Sequence, residues 1–382
     1  MLTIINANLI TISQGNIENG KVVINNGKII DLGADIIVPK ESKVYDAKGR
    51  YVTPGLIDAH THVGIHESGT GWEGSDGNES ADPLTPFCSV RDGINMKDPA
   101  FESFRKSGIT SVGILPGSTN ILGGTGLALK CKDVVVDEAI IKDPVGMKVA
   151  LGENPKKHYG EKRSPISRMA NASMLRESLL KARQYLNKLE LKNDVKRDPL
   201  SVALLPVIKK EIPLIIHCHR QDDIATAIRI CKEFDVSYRL EHVTEGHMIL
   251  ELIKSENVHC CVGPCLQYGS KVENRNRDFK TAVVFEREGV SFCLTTDHPV
   301  VDGRNLMLTA SIATQWGVSD EKAFESVTLA AAKHMGVAER VGSLEIGKDG
   351  DLVVWSGHPL EFTSFVDMTL IEGEVVYDRG IN

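Results

Sequence analysis

The sequence predicts an α/β protein in which a (β/α)8 TIM-type barrel lies beside a small β-sandwich domain built from both chain ends. Two observations predict this arrangement. Short β-rich runs with Asn and Gly turns fill the first part of the chain and return near its end. Between them, apolar runs alternate with longer helical stretches, as in parallel strands joined by crossover helices. We therefore expect a β-sandwich domain in residues 1–53 plus 341–382 and a barrel in residues 54–340.

The predicted sandwich strands are short and are separated by turn signals. Asn25-Asn26-Gly27 is typical of a hairpin turn, and Asn19-Gly20 marks another turn. The N-terminal strands are expected at residues 2–5, 9–12, 21–24, 28–32 and 43–46. The C-terminal strands are expected at residues 351–355, 368–371 and 375–377.

The middle of the chain shows seven clear candidate strands and two clear helices. The candidate barrel strands are residues 55–59, 110–115, 147–151, 214–216, 238–240, 258–262 and 291–295. An eighth strand is weakly marked, and residues 127–130 are its best candidate. Apolar residues at three- and four-residue spacing predict a helix over residues 168–191, and residues 224–234 predict another.

Composition excludes several classes of function. The chain has 44 Lys and Arg against 51 Asp and Glu, a net charge of −7, so it lacks the basic surplus of a nucleic-acid binder. No apolar stretch is long enough to cross a bilayer. Residues 1–12 do not have the pattern of a signal peptide, and the eight cysteines form no Cys-x-x-Cys pair. We expect a cytoplasmic protein that acts on a small molecule, with no nucleic-acid or membrane partner, and that can form a homo-oligomer.

The strongest chemical signal lies in residues 55–62 (GLIDAHTH), where an apolar strand ends in His60 and His62. In an extended chain, residues two apart face the same side, so both imidazoles can point into one cavity and bind one metal ion. Their position at the end of a strand strengthens this interpretation, because barrel enzymes build their sites at the carboxyl ends of strands.

The same pattern recurs further along the chain. Predicted strands end at His217 and at His242, and another ends just before Asp297. A single histidine at such a place is more often a hydrogen-bonded residue without a metal. Four strands that each end in a ligand-type residue instead predict a shared metal site.

Together these motifs resemble the metal-dependent amidohydrolase superfamily, and within it the imidazolonepropionase-related and prolidase-like enzymes. The resemblance covers nearly the whole chain: the β-rich start, residues 52–62 (VTPGLIDAHTH), the later His, His and Asp, and residues 342–354 (GSLEIGKDGDLVV). It implies a β-sandwich beside a TIM-type barrel and a site with one or two divalent metal ions. Zinc suits imidazole and carboxylate ligands best.

The resemblance also implies roles for individual residues. His60, His62 and Asp297 are expected to hold one metal ion, and His217 and His242 a second. In the family the ligand directly follows the apolar strand, as His217 does, so His219 is expected either to face the substrate or to support the metal ligands from behind.

Two-metal members of the superfamily also use a bridging carboxylate from an earlier strand, and residues 146–154 (GMKVALGEN) offer two candidates. A carboxylated lysine is long enough to sit inside the strand, as Lys148 would. A glutamate is shorter and must sit at the mouth of the strand, as Glu153 would. We favour Glu153 and keep Lys148 as the alternative bridge.

This site implies a hydrolase that uses a metal-activated hydroxide to cut an amide, a cyclic amide or a dipeptide-like C–N bond of a small molecule. Asp297 is expected to accept the proton of the attacking water and return it to the leaving amine. Arg220 is a candidate for binding a substrate carboxylate, with an ion pair to Asp222 or Asp223 as the alternative. Residues 67–98 are a candidate lid.

Two other functions remain open. A mononuclear aminohydrolase, such as a deaminase or an imidazolonepropionase-type ring hydrolase, usually carries a glutamate three residues after the histidine of the fifth strand. Arg220 stands at that place, which weighs against this function. A catalytically inactive amidohydrolase-like scaffold is expected to have lost metal ligands, and here His60, His62, His217, His242 and Asp297 are all present.

Overall fold

The computed structural model of the protein describes residues 1–160, 164–191 and 195–380. The described chain forms two eight-stranded sheets. One sheet is built from the two ends of the chain, and the other curls into a nearly closed barrel. Within the described ranges, no helix is both long and apolar enough to cross a bilayer.

The first five strands belong to the terminal sheet: β1 (Leu2–Ile10), β2 (Asn16–Asn25), β3 (Lys28–Gly33), β4 (Lys43–Asp46) and β5 (Tyr51–Pro54). The sequence divided β1 into two strands because polar residues interrupt its apolar run. The structure instead keeps one strand and shifts its register against β2 on either side of Ala7. Asn6 absorbs the first irregularity with a φ of 53°, a left-handed conformation that asparagine tolerates well.

The next eight strands form the barrel sheet: β6 (Leu56–Thr61), β7 (Ile109–Ile114), β8 (Leu122–Lys130), β9 (Ile140–Ala150), β10 (Leu214–Cys218), β11 (Tyr238–His242), β12 (Cys260–Val262) and β13 (Phe292–Leu294). They pair in sequence order from β6 to β13. Between β13 and β6, the Thr295 hydroxyl donates to the His60 carbonyl at 2.8 Å, and the His62 amide donates to the His298 carbonyl at 2.8 Å. These bonds bring the two edges of the sheet together.

The eighth strand, which the sequence marks weakly, is β8, and it runs antiparallel to both of its neighbours. The expected (β/α)8 pattern is therefore broken at one position. The reason is the length of the connections: residues 115–121 lead into β8 and residues 131–139 lead out of it. A crossover between parallel strands needs a dozen or more residues, so these short connections allow only a reversal of direction.

Helices cover the outside of the barrel: α1 (Pro99–Lys106), α2 (Val136–Ala139), α3 (Glu153–Tyr159), α4 (Arg168–Glu190), α5 (Pro199–Ile208), α6 (Gln221–Phe234), α7 (Leu250–Glu256), α8 (Lys280–Arg287), α9 (Leu306–Trp316), α10 (Asp320–Ser326) and α11 (Leu329–Met335). The helices predicted over residues 168–191 and 224–234 are confirmed as α4 and α6. Leu175, Leu179 and Ala182 of α4 are fully buried, as their spacing predicts.

The chain then returns to the terminal sheet through β14 (Leu352–Trp355), β15 (Val366–Ile371) and β16 (Glu374–Asp378). β14 pairs antiparallel with β5, so the two chain ends share one sheet. The buried ammonium of Lys130, at the end of β8, forms an ion pair with Asp349 at 2.9 Å and another with Asp351. This cluster fastens the barrel sheet to the segment that leads into β14.

Candidate metal centre

Six side chains of metal-ligand type meet at the carboxyl ends of four barrel strands. β6 and the residue after it supply the first two, β10 and the residue after it supply two more, β11 supplies one, and the turn after β13 supplies the last. The register of strand pairing explains part of this clustering. Cys218 of β10 pairs with His242 of β11, so the histidines of both strands lie at the same height along the barrel. The six are His60, His62, His217, His219, His242 and Asp297.

The first group consists of His60, His62 and Asp297, whose ligand atoms all lie within 4.8 Å of one another. Asp297 Oδ1 is 3.2 Å from His62 Nε2 and 3.6 Å from His60 Nε2. Burial alone would raise the pKa of Asp297, but its hydrogen bond to His62 and the nearby His60 hold that pKa below its usual range. An ionised carboxylate beside two imidazoles is a suitable ligand set for a divalent cation.

The second group consists of His217, His219 and His242, again with ligand atoms within 4.8 Å. The ring centroids of His217 and His242 are 4.5 Å apart, and His219 stacks on His242 at 4.6 Å. From the sequence, His217 and His242 were expected to be metal ligands, whereas His219 was not. The structure brings all three together, so His219 is as well placed to bind a metal as the other two.

The outer nitrogen of several rings is already held by the protein. His62 Nδ1 donates to the carbonyl of Leu115 at 2.7 Å, and His242 Nδ1 donates to that of Gly263 at 2.8 Å. Such bonds fix the ring orientation, as in metal-binding histidines, and the Nε2 of His62 points towards Asp297. Among the described residues, neither ring nitrogen of buried His217 makes a hydrogen bond, although its Nε2 lies 3.5 Å from Glu273 Oε1, within ion-pair distance.

Burial keeps these imidazoles in the form that binds metal. It lowers the pKa of His60 to about 4, with a further contribution from nearby Lys148. Burial likewise lowers the pKa of His217, of His219 and of His242. These four rings are therefore neutral near pH 7, and the donor set fits one or two divalent metal ions.

The two bridge candidates occupy different surroundings. Lys148 is fully buried in β9, lines the same cavity as the histidines, and its Nζ is 3.0 Å from His60 Nε2. Glu153 begins α3, and its carboxylate accepts a hydrogen bond from the backbone amide of Glu273 at 3.0 Å. Glu153 is not among the residues that line the cavity. Geometry therefore favours Lys148, the alternative, over Glu153, the residue favoured from the sequence.

A carboxylate behind the cluster holds His60 in place, and the sequence analysis missed it. Glu241 Oε2 lies 2.7 Å from His60 Nδ1, and its Oε1 lies 2.6 Å from His334 Nε2. Burial opposes the charge of Glu241, but His334 and His60 keep its pKa well below the usual range. The available signal was a glutamate directly before the strand-ending His242, in residues 238–242 (YRLEH).

Asp58 is a second missed carboxylate, and it braces the turn that carries Asp297. Its two oxygens accept hydrogen bonds from the hydroxyls of Thr295 and Thr296, both at 2.5 Å. Burial raises the pKa of Asp58 to about 6, although these two hydroxyls oppose the shift. Asp58 lies two residues before His60 and thus on the same side of β6, which was the signal in the sequence.

The metal-ligand residues line a polar cavity of about 440 Å³. Its other lining residues include Asn78, Ser118, Asn154, Gln267, Lys271 and Arg277. Asn78 comes from the candidate lid, residues 67–98. Arg220 does not line this cavity, and its guanidinium forms two 2.9 Å hydrogen bonds with Asp222, the alternative partner weighed from the sequence. The cationic side chains in the cavity are Lys148, Lys271 and Arg277.

Comparison with known proteins agrees with this geometry. Residues 51–376 match the sequence profile of the Amidohydrolase family. The chain belongs to the amidohydrolase family. Its fold matches the crystal structure of an amidohydrolase from Thermotoga maritima MSB8 with a TM-score of 0.96 and 38% identity, over 99% of this chain and 100% of the other.

Two sequence relatives extend the comparison. Amidohydrolase tasK of Hapsidospora irregularis is 26% identical over 380 residues, which cover 90% of this chain but 38% of tasK, so the chain spans well under half of that protein. Imidazolonepropionase of Brucella anthropi is 24% identical over 389 residues, covering 92% of this chain and 91% of the relative. The resemblance found in the sequence is thus confirmed at the level of the family, and it supports a hydrolytic enzyme that acts on C–N bonds.

Proposed function

We propose that the protein is a metal-dependent hydrolase that cuts an amide, a cyclic amide or a dipeptide-like C–N bond of a small molecule. The observation that carries the proposal is the pair of ligand groups in one cavity, His60–His62–Asp297 and His217–His219–His242. Each group offers three protein ligands, the number that catalytic zinc sites typically have when they keep a position open. A cavity of about 440 Å³ suits a small molecule.

The proposed residue roles follow from the contacts. The two groups would hold one or two divalent metal ions, with zinc as the first choice, and Lys148, once carboxylated, would join them. A bound divalent ion lowers the pKa of water and polarises a carbonyl group. Asp297 Oδ1 faces His60 and His62, whereas Oδ2 makes neither of these two contacts. We assign Oδ2 the transfer of a proton from the attacking water to the leaving amine.

Imidazolone-type ring hydrolysis is a second candidate within the same chemistry. Its support is the relative named imidazolonepropionase, which aligns over 92% of this chain. Arg220 stands where that branch usually has a glutamate, and the ion pair of Arg220 with Asp222 directs its side chain to a neighbouring carboxylate. Another acid, with Asp297 first among the candidates, would have to move the proton.

The test is hydrolysis by the zinc-reconstituted protein of a panel of dipeptides, N-acyl amino acids and cyclic amides, compared with an Asp297→Asn variant. We expect Asp297→Asn to lower kcat by roughly 10²–10⁴-fold without changing the thermal unfolding temperature. Asp302→Asn is the matched control, because Asp302 lies in the same connection but does not line the cavity. Wild-type turnover in Asp297→Asn would overturn the role of Asp297, and failure to bind any divalent ion would overturn the proposal as a whole.

A further inference from the structure

Two cationic side chains, Lys271 and Arg277, line the cavity of the metal-ligand residues and belong to neither ligand group. We propose that Arg277, assisted by Lys271, binds a carboxylate of the substrate. The inference rests on the proposed function, because it names the class of substrate that the same site accepts. It assigns this role to Arg277 and not to Arg220.

Arg277 has no acidic partner of its own. Among the described residues, no carboxylate lies within ion-pair distance of its guanidinium. Its terminal nitrogen donates instead to the neutral side-chain oxygen of Gln267 at 2.7 Å. Its Nε is buried and lacks a hydrogen-bond partner among the described residues. A desolvated guanidinium with an unused donor is costly to keep in a folded protein, and a bound anion would remove that cost.

Other arginines near the barrel mouth are satisfied by neighbours in the chain. Arg220 bonds Asp222 and Arg304 bonds Asp302, each through two guanidinium nitrogens. The contrast matters because a guanidinium that already carries a bidentate carboxylate has little capacity left for a ligand. Arg277 combines an unpaired guanidinium with a place in the cavity.

Lys271 adds positive charge beside Arg277 but is largely compensated. Its ammonium donates to Asn154 Oδ1 at 2.6 Å and lies 3.3 Å from Glu273 Oε1. Glu273 itself is fully buried. Its carboxylate accepts a hydrogen bond from the backbone amide of Glu153 and lies within ion-pair distance of His217. Arg277, by contrast, bonds the neutral Gln267 and keeps a buried Nε without a hydrogen-bond partner among the described residues.

The remaining described lining offers Arg277 no carboxylate within ion-pair distance, although the charge of Asp297 partly opposes the lowering of the Arg277 pKa by burial. Asp297 is the one carboxylate among the described lining residues, and its Oδ1 is engaged by His62 and His60. The neutral residue Ser118 lines the cavity too, and its Oγ accepts from Asn154 and therefore keeps its own proton to donate. A guanidinium without an ion-pair partner among the described residues matches a carboxylate, because its planar fork can donate two parallel hydrogen bonds to the two oxygens.

The test uses hydroxamates, because a hydroxamate group binds divalent metal ions whatever the natural substrate is. The probes are the monohydroxamates of succinic, glutaric and adipic acid, each paired with a counterpart whose free acid is replaced by a primary amide. Dissociation constants are measured by calorimetry with the zinc-loaded protein. For at least one chain length, we expect the acid to bind about tenfold or more tightly than its amide counterpart.

The variants identify which residue binds the carboxylate of the probe. In Arg277→Met the acid should lose its advantage while the amide-ended probe keeps its affinity, and Arg277→Lys should retain part of the preference because it keeps the charge without the planar fork. Arg304→Met is the matched control and should keep the full preference, since Arg304 is exposed and paired with Asp302.

Three other outcomes would each overturn a specific claim. If amide-ended and acid-ended probes bind equally at every length, the cavity does not select a carboxylate, although the metal site stands. If Arg220→Met removes the preference and Arg277→Met does not, the assignment to Arg277 is wrong. If no probe shows zinc-dependent binding, the proposed function fails, and the inference fails with it.

Discussion

Glu153 and Glu273 hold each other's backbone in a reciprocal pair of hydrogen bonds. The backbone amide of Glu153 donates to Glu273 Oε2 at 2.7 Å, and the backbone amide of Glu273 donates to Glu153 Oε2 at 3.0 Å. The pair ties the start of α3 to the segment that carries Lys271. We propose that this pair positions the cationic side chains of the cavity, and the first prediction tests that role against a role of Glu153 as metal ligand.

The first prediction separates Glu153 from Lys148 by metal content. Lys148→Met should lower the zinc bound per chain, because the side chain 3.0 Å from His60 Nε2 loses its polar end. Glu153→Ala should keep wild-type metal content but raise KM, since the segment with Lys271 loses one of its ties. Elemental analysis and steady-state kinetics on the same preparations measure both effects.

The matched control for this prediction is Glu153→Gln. Its amide oxygen can still accept the hydrogen bond from the Glu273 amide, so KM should stay close to the wild-type value. Loss of zinc in Glu153→Gln together with full zinc in Lys148→Met would contradict the prediction and restore Glu153 as the bridging ligand.

The second prediction concerns carboxylation of Lys148. Burial lowers the pKa of Lys148 to about 8, with Glu241 and Asp297 opposing the shift. At pH 7 roughly one ammonium in ten is then a neutral amine, far more than for an ordinary lysine. A neutral amine adds carbon dioxide to give a carbamate and releases one proton, so the carbamate would supply a carboxylate inside the strand.

Reconstitution of the metal-free protein tests this prediction. Zinc uptake should be faster and more complete with added bicarbonate than in carbon-dioxide-free buffer. Intact-mass measurement should detect one added carbon dioxide in wild type and none in Lys148→Met. Equal uptake with and without bicarbonate would show that Lys148 acts, if at all, without carboxylation.

The sequence was sufficient to identify the parts of the site that lie on strands. His60 and His62 stand two apart in an extended segment, and His217 and His242 end neighbouring strands, so period and position alone predict that they converge. Side-chain direction beyond a strand end does not follow from spacing. Glu153 and Arg220 both lie past the end of a strand. The backbone amide of Glu273 determines where the Glu153 carboxylate points, and Asp222 determines where the Arg220 guanidinium points.

The contributions that sequence analysis missed come from irregular segments and from residues far apart in the chain. Lys271 and Arg277 lie in the connection after β12, which has no periodicity from which direction could be inferred. A charged run after a barrel strand, residues 271–277 (KVENRNR), was the available signal. Glu241 acts on His60 from a strand five positions away in the sheet, a relation that only closure of the barrel creates.

The third prediction concerns Glu241 as a positioning residue. Glu241→Gln should weaken zinc binding by about 10–100-fold, because an amide orients the ring of His60 less strongly and makes it less basic than a carboxylate does. The fold should survive, since glutamine has the same shape and can still bond His334. Zinc affinity is measured by competition with a chromogenic chelator, with the unfolding temperature of the metal-free protein as the structural readout.

The histidine on the other side of Glu241 supplies the control. His334→Gln removes the second partner of Glu241 but leaves the bond to His60 Nδ1 at 2.7 Å, so its effect on zinc affinity should be smaller than that of Glu241→Gln. An unchanged zinc affinity in Glu241→Gln, with an unchanged unfolding temperature, would mean that His60 does not depend on this carboxylate.

The fourth prediction concerns the buried ion cluster between the two sheets. Lys130→Met should lower the free energy of unfolding by about 3–5 kcal/mol at pH 8, because it leaves a buried carboxylate without its cation. Asp349 retains Lys28 at 2.5 Å and Arg340 at 2.9 Å, whereas among the described residues the side chain of Asp351 keeps only the backbone amide of Glu372. The uncompensated group is therefore Asp351.

The pH dependence of this loss identifies the group responsible. Burial already raises the pKa of Asp351, and Lys130 opposes that rise, so Lys130→Met should raise the pKa further. A carboxyl with a raised pKa in the folded state favours the protonated form, so its contribution to stability is best below the pKa of the unfolded chain. That contribution then falls as the pH rises towards the folded pKa. The destabilisation by Lys130→Met should therefore be smaller at pH 5 than at pH 8 in urea titrations.

The control is Lys132→Met, which removes a partly exposed partner of Glu372 and should lower the free energy of unfolding only slightly at either pH. A loss of stability in Lys130→Met that is the same at both pH values would indicate lost packing, not an uncompensated charge on Asp351.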